Sequence, residues 1–99
     1  MTEHRVVVTG MGTTNPLGNS IAETWEALVA GKSGIATITQ FDPAPFETQF
    51  AGEVKNFVTP SELEYKEARR IDRSGLFAVH AASEALKDAG LPKIGRAHV

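Results

Sequence analysis

The sequence predicts an α/β fold in which a buried strand near the N-terminus is covered by helices. The strand is predicted by residues 6–9, three consecutive valines followed by a threonine. Such a β-branched run, without apolar–polar alternation, is typical of a strand buried on both faces of a parallel sheet. The helices are predicted by capping-box patterns at Ser20 and Thr59 and by a third helical segment that ends at Ala89.

The composition limits the classes of function. The chain has 99 residues, of which 41% are hydrophobic and 22% charged, with a formal net charge of -2 and no cysteine. These values predict one small globular domain and argue against a nucleic-acid-binding protein. Without cysteine, this chain has no disulfide, thiolate metal site or cysteine nucleophile. Since it also lacks a membrane-spanning run and a signal-peptide pattern, we expect a cytoplasmic protein that binds no membrane.

The opening strand is predicted to lead into a turn and a first helix. Gly10 and Gly12 permit close backbone approach, and Asn15-Pro16 begins a turn. The helix starts after its N-cap, Ser20, and ends at Gly31. Four apolar side chains share one of its faces: Ile21, Trp25, Leu28 and Val29. We expect that face to cover the sheet through the tryptophan.

Residues 32–57 carry weaker signals. Residues 35–41 and 50–54 are candidate short strands, separated by prolines that break regular structure. Four of the chain's five phenylalanines lie in this segment. A mostly irregular segment with that many rings is typical of a chain that packs on something larger.

Two further helices are predicted after residue 58. In Thr-Pro-Ser-Glu, residues 59–62, the threonine is the predicted N-cap, the proline occupies the first helical position and the glutamate completes a capping box. We expect this helix to run to about Arg70. The next helix begins near Asp72 or Ser74 and ends at Ala89. Its middle is apolar on nearly all sides, which is typical of a helix inside a large protein.

Three patterns resemble known sites but are better explained by structural roles. Gly10-x-Gly12-x-x-Asn15 has asparagine in place of the third glycine of a dinucleotide fingerprint, and the next helix starts too late to meet a pyrophosphate. Gly31-Lys32-Ser33 follows a helix, whereas a phosphate-binding loop precedes one. His80 and Glu84 are one helical turn apart, but a single pair does not make a zinc site, and we expect His80 to pack locally.

A cluster of four basic residues is the most informative polar pattern: Lys66, Arg69, Arg70 and Arg73. Helical spacing places most of them on one side of a helix or helix junction. Glutamates at positions 62, 64 and 67 are interleaved with them. The cluster is therefore either a solvated face with ion pairs or a docking patch for an anionic partner, and composition leaves both open.

Four stretches, in this order, carry a family resemblance: RVVVTGMGTTNPLGNS, TWEALVAGKSGI, FDPAPFETQFAGEVKNF and KEARRIDRSGLFAVHAASEALKDAGL. Over roughly His4 to Pro92, the chain strongly resembles the N-terminal quarter of β-ketoacyl-acyl carrier protein synthases of the II type. These are the elongating condensing enzymes of dissociated fatty-acid synthesis, and they are close to polyketide ketosynthases.

The resemblance implies a thiolase-like fold, layered α-β-α-β-α in the full enzyme, which is a homodimer. This chain would supply an incomplete N-terminal part with one buried strand, a short candidate strand and about three helices. The implied reaction is a decarboxylative Claisen condensation that uses a cysteine and two histidines and no organic cofactor or metal. Those catalytic residues are not in this chain, so we assign none and expect the isolated chain to be inactive.

The resemblance also implies a protein partner. Lys66, Arg69 and Arg70 match the family's docking patch, which meets the acidic recognition helix of the acyl carrier protein. Arg73 is not part of that match, and we expect it to pair internally with Asp72 or Glu84.

We expect residues 1–93 to be a partial N-terminal half of a β-ketoacyl synthase domain. The last six residues, 94–99 (IGRAHV), look like the translated start of a sequencing-adapter oligonucleotide, and we expect them to be non-native. Two alternatives remain open for the function. One is a small nucleotide- or ligand-binding α/β module, and the other is a ketosynthase of a polyketide pathway.

Overall fold

Three helices and one two-stranded sheet follow one another along the part of the chain that the structure describes, residues 3–61 and 63–91. In this computed structural model the elements are α1 Ile21–Val29, β1 Ile35–Thr37, β2 Phe50–Gly52, α2 Tyr65–Arg70 and α3 Arg73–Ala89. None of these helices is long and apolar enough to cross a membrane. The tail predicted to be non-native, 94–99, lies outside the described residues.

Both ends of α1 are fixed by the residues that predict them. Ser20 Oγ accepts a hydrogen bond from the Glu23 N–H at 3.1 Å. The Glu23 carboxylate in turn accepts a hydrogen bond from the Asn19 N–H at 2.9 Å. In a standard capping box the donor would be the N–H of the N-cap itself, Ser20, which is the next residue. At the other end, Gly31 adopts a φ of +71°, the left-handed conformation that ends a helix. The predicted first helix is confirmed.

β1 and β2 form an antiparallel hairpin pair in which Ile35 lies opposite Gly52. The candidate strands predicted over 35–41 and 50–54 are therefore confirmed, each over three residues. Pro16 of the preceding turn packs on this hairpin, since a Cβ at Gly52 would lie 2.9 Å from the proline ring. The hairpin thus contacts the loop that precedes α1.

Close backbone approach brings the loop before α1 onto α3. A Cβ at Gly12 would overlap the Ala81 carbonyl oxygen and would lie 2.8 Å from the Ala85 nitrogen. A Cβ at Gly10 would similarly lie 2.7 Å from the Ala89 nitrogen. Both glycines are needed because the alanine face of α3 leaves no space for a side chain at either position.

Hydrogen bonds to acidic side chains complete this contact. The Thr13 and Ile21 N–H groups donate to the two carboxylate oxygens of Glu84, each at 2.9 Å. The Met11 N–H donates to Asp88 Oδ2 at 3.1 Å. The backbone of the opening segment is therefore satisfied in part by a helix rather than by a neighbouring strand.

The prediction of a buried opening strand is wrong for the described chain. Residues 3–14 form neither helix nor strand, and Val6 and Val8 are 93% and 79% exposed. A β-branched run favours an extended backbone, but a strand also needs a hydrogen-bonded neighbour. β1 and β2 pair only with each other within the described part, so no ladder reaches these valines.

The expectation that Trp25 covers a sheet is also wrong here. Trp25 is 66% exposed, and only Ala27 and Pro60 are buried among the described residues. α3 likewise has no buried residue, although its apolar middle predicts an interior position. The radius of gyration is 17.0 Å, whereas a compact chain of about 100 residues has about 13 Å. Large apolar surfaces therefore remain uncovered in the part of the chain that the structure describes.

The second predicted helix begins later than its capping pattern suggests. The Leu63 N–H donates to the Pro60 carbonyl at 3.2 Å, so a turn occupies the predicted first helical turn. α2 then starts after Glu64, whose side chain makes no capping hydrogen bond. The predicted end at Arg70 is confirmed. For α3, both predicted ends are confirmed, with Asp72 as N-cap.

Candidate functional site

The side chains of α2 form an exposed basic surface. Lys66, Arg69 and Arg70 are all exposed, and together they line a shallow concavity of about 280 Å³. Residues three and four apart lie on the same side of a helix, which explains why these three meet. The structure thus brings together the three residues that the resemblance assigns to docking, and we call this set the α2 basic face.

The position of the two arginines also suits the helix that carries them. Arg69 and Arg70 occupy the last turn of α2. Cations there interact favourably with the partial negative charge of the helix C-terminus. Basic side chains at this place therefore support the short helix while remaining available to solvent.

An aromatic ring adjoins this face and was missed in the sequence analysis. Tyr65, the first residue of α2, is 76% exposed, and the Arg69 guanidinium lies 5.5 Å from the centre of its ring. The two residues are one helical turn apart, which is the spacing at which an aromatic side chain and an arginine meet. That spacing was the available signal in the sequence.

Arg73 is separated from the α2 basic face and contacts the body of the chain. Its guanidinium lies 4.9 Å from the Phe77 ring centre and 5.9 Å from that of Phe57. Its Nη2 donates to the Val54 carbonyl at 3.3 Å. Arg73 makes its contacts within the chain, as expected, although its side chain is exposed. The expected partners, Asp72 and Glu84, are wrong, because the observed ones are a carbonyl and two rings.

One of those carboxylates, Asp72, fixes the junction between α2 and α3. Asp72 Oδ1 accepts hydrogen bonds from the Gly75 N–H at 2.8 Å and from the Ser74 hydroxyl at 3.0 Å. These donors, the Gly75 amide first, lower the pKa of Asp72 below its ordinary value. Only Ile71 and Asp72 separate the two helices, so this cap helps to set the direction of α2.

The glycine patterns have the structural roles that the sequence favours. Gly10 and Gly12 face α3 across a contact that leaves no space for a cofactor phosphate. Gly31 is the left-handed residue that ends α1. The dinucleotide-binding alternative therefore finds no support in the geometry of its own motif.

His80 has a structural role, as predicted, but its partners are distant in sequence and not local to its helix. Its Nε2–H donates to the Asn19 carbonyl at 2.7 Å, and its ring lies edge-on to Phe57 with the centroids 5.5 Å apart. Both oxygens of Glu84 are engaged by backbone amides, so its carboxylate is already used in the fold. No group of three or more potential metal ligands occurs among the described residues.

Comparison with known proteins places the chain in a family. The family described as "Beta-ketoacyl synthase, N-terminal domain" matches residues 3–97. A 3-oxoacyl-[acyl-carrier-protein] synthase 2 from Staphylococcus aureus (strain COL) is 48% identical over 87 residues, which are 88% of this chain and 21% of that protein. The synthase of the same name from Coxiella burnetii is 45% identical over 91 residues, covering 92% of this chain and 22% of that protein.

Solved structures agree with the sequence matches. The ishigamide ketosynthase/chain length factor superposes with a TM-score of 0.76 at 36% identity, over 87% of this chain and 21% of that one. A beta-ketoacyl synthase from Burkholderia phymatum STM815 gives a TM-score of 0.72 at 32% identity, over 93% and 23% of the two chains. The chain thus spans about a fifth of the length of the relatives it matches, and it belongs to the beta-ketoacyl synthase family, whose N-terminal domain it matches.

Proposed function

We propose that this chain is the N-terminal segment of a 3-oxoacyl-[acyl-carrier-protein] synthase and that the α2 basic face docks the acyl carrier protein. The parent enzyme would act in the cytoplasm as a homodimer. It would condense acyl groups with malonyl-acyl carrier protein by decarboxylative Claisen chemistry. The identity of 45 to 48% to synthases of that name supports the assignment.

The observation that carries the docking role is the clustering of charge. The chain as a whole has a formal net charge of -2, yet three cations of one six-residue helix meet around a single concavity. Within α2 the three cations outnumber its one carboxylate, Glu67. This local excess of positive charge attracts an acidic partner, and guanidinium groups suit its carboxylates. The competing interpretation, a solvated face laced with ion pairs, predicts no effect on a partner.

This proposal assigns binding, and not catalysis, to the described residues. The chain contains no cysteine, so the nucleophile of the reaction would come from another part of the parent enzyme. We therefore expect the 99-residue chain alone to show no condensing activity. The contribution of this segment would be to hold the carrier protein so that its acyl thioester enters a site built elsewhere.

The test uses a hybrid synthase in which residues 4–91 replace the matching segment of the Staphylococcus aureus relative. We measure KM for an acyl group on the acyl carrier protein and for the same group on pantetheine, which has no protein to dock. In the variant R69E/R70E, the ratio of the two KM values should rise by roughly tenfold, because two attractive charges become repulsive. Added salt should reduce that rise, since the face is exposed.

A matched control reverses the same number of charges elsewhere. Lys32 and Lys87 are exposed and lie outside α2. The variant K32E/K87E should therefore leave the KM ratio within about twofold of the unsubstituted hybrid. Equal KM ratios in R69E/R70E and in this control would refute the docking role.

A second candidate function is motivated by the likeness to the ishigamide ketosynthase/chain length factor, at 36% identity. The parent enzyme would then be a ketosynthase of a polyketide pathway. The same hybrid separates the two candidates when it is assayed with carrier proteins of both kinds. A lower KM for the fatty-acid carrier protein supports the first proposal, and a lower KM for the polyketide carrier protein supports the second.

A further inference from the structure

We infer that Tyr65 is a specificity-determining residue of the docking surface, and that the partner segment it meets carries an apolar side chain between its acidic residues. This inference rests on the docking role proposed above and extends it to the chemistry of the partner. It concerns the exposed side chains of α2, namely the Tyr65 ring and the α2 basic face beside it.

The geometry joins the ring to one of the cations. Tyr65 is 76% exposed at the start of α2, and the Arg69 guanidinium lies 5.5 Å from its ring centre. A free arginine side chain populates many rotamers and loses that freedom when it binds. Contact with the ring restricts those rotamers before the partner arrives, which lowers the entropy cost of docking.

The ring also gives the surface a character that charge alone does not. Interfaces are enriched in tyrosine and arginine at the positions that contribute most to binding. An exposed ring beside three cations offers a flat apolar contact with charged groups next to it. A partner helix with only acidic residues would pair with the three cations but would leave the Tyr65 ring exposed to water.

The occupant that fits both features is the recognition helix of an acyl carrier protein with an apolar residue among its acids. The charges would steer the approach and fix the register. The apolar contact between that residue and the Tyr65 ring would select among acidic proteins, because burial of apolar area does not depend on charge. The two contributions therefore respond differently to salt.

The experiment uses the hybrid synthase and three substitutions at one position. Y65A removes the ring, Y65F retains it without the hydroxyl, and Y65L keeps apolar area without an aromatic face. For Y65A, the ratio of KM on the carrier protein to KM on pantetheine should rise roughly threefold to tenfold. It should remain raised at about 1 M salt, where exposed charges are screened. Y65F should keep the original ratio, and Y65L should fall between the two.

A double substitution tests whether the ring acts through Arg69. If the ring orients the guanidinium, Y65A and R69A together should raise the ratio by less than the product of their separate effects. A merely structural role for Tyr65 would change the ratio and the thermal midpoint together. We expect Y65A and Y65F to have the same thermal midpoint.

The outcomes separate this inference from the proposal beneath it. If R69E/R70E has no effect on the KM ratio, the docking role itself fails. If R69E/R70E raises the ratio but Y65A behaves like the unsubstituted hybrid at low and high salt, only the inference about Tyr65 fails. An equal rise in Y65A and Y65F would also overturn it, since the hydroxyl would then carry the effect.

Discussion

The contact between α3 and the loop before α1 and the β1–β2 hairpin contain the same kind of hydrogen bond in different surroundings. In each, a glutamate carboxylate accepts hydrogen bonds from backbone N–H groups. Glu84 on α3 is half-buried and binds amides 71 and 63 residues away in sequence, at Thr13 and Ile21. Glu53 is half-buried as well, but it binds exposed amides only 14 and 13 residues away, at Thr39 and Gln40.

The comparison shows how sequence separation and the burial of the donor amides change what a hydrogen bond to a carboxylate contributes to stability. Losing Glu84 would free two distant segments from α3, and it would leave half-buried amides without a partner. Losing Glu53 would free only a loop whose amides water can reach. A hydrogen bond to a charged group contributes about 1.5–3 kcal/mol where water is kept out, and less at an exposed site. The three predictions below test this difference, from the largest expected effect to the smallest.

The largest effect is expected at Gly12, which holds the loop against α3. In G12A the new methyl group would overlap the Ala81 carbonyl oxygen, and the loop could move away only by breaking the bonds to Glu84. We expect the free energy of unfolding of the hybrid synthase to fall by about 3 kcal/mol, measured by urea denaturation. The control is G31A, where no atom lies within 4 Å of the new Cβ and only the positive φ is unfavourable.

That control should cost about 1 kcal/mol, the strain of a left-handed alanine. Equal losses in G12A and G31A would mean that the contact with α3 is not tightly packed.

A smaller effect is expected when the α3 carboxylate itself is changed. E84Q keeps the shape of the side chain but loses the charge and turns an N–H toward one of the two amide donors. We expect a loss of about 2 kcal/mol and faster amide hydrogen exchange over residues 11–21. E26Q, at an exposed glutamate of α1, serves as the matched control. Exchange that is equally slow in both variants would contradict the role of Glu84.

The smallest effect is expected at Glu53 and depends on pH. The Gln40 amide, followed by the amide and hydroxyl of Thr39, lowers the pKa of Glu53 below its ordinary value of 4.5. Because the folded pKa is depressed, the stabilisation is complete above the unfolded pKa and is lost as the pH falls through the folded one. The amide proton shifts of Thr39 and Gln40 should therefore titrate together with a midpoint below 4.5.

The variant E53Q is the control for this titration, and its two amide shifts should no longer follow the pH through that range. A midpoint at or above 4.5 in the unsubstituted chain would show that the carboxylate does not hold the loop.

The parts of the fold that follow from short-range chemistry were predicted from the sequence. Ser20 and Gly31 bound α1 through hydrogen bonds and a φ angle that involve only their near neighbours. Asp72 and Gly90 do the same for α3. The start of the second helix was misplaced because Pro60 also suits a turn, and its carbonyl accepts the turn hydrogen bond from the Leu63 N–H.

The parts that depend on distant contacts were not predictable. The valines at 6–8 predict a strand, but whether a strand forms is decided by a partner that the local sequence does not specify. The role of Glu84 was hidden for the same reason, since its two amide donors lie far from it in the chain. Neither contact leaves a periodic signal in the sequence.

The candidate site shows the same division. The α2 basic face follows from residues three and four apart on one helix, so its clustering could be predicted. Arg73 fits the same spacing but turns to the Phe57 and Phe77 rings instead, because it lies beyond the junction in the next helix. The junction itself was predicted from the sequence, but the rings that Arg73 contacts beyond it were not.

The glycine contact also fixes the rotational phase of α3. Each residue of a helix turns it by about 100°, so any other phase would bring a side chain larger than alanine toward Gly10 and Gly12. Ala85 lies about 18 Å along the helix axis from Arg73, and α2 joins α3 through two residues. A contact at two glycines near one end of α3 therefore bears on the orientation of the α2 basic face at the other end.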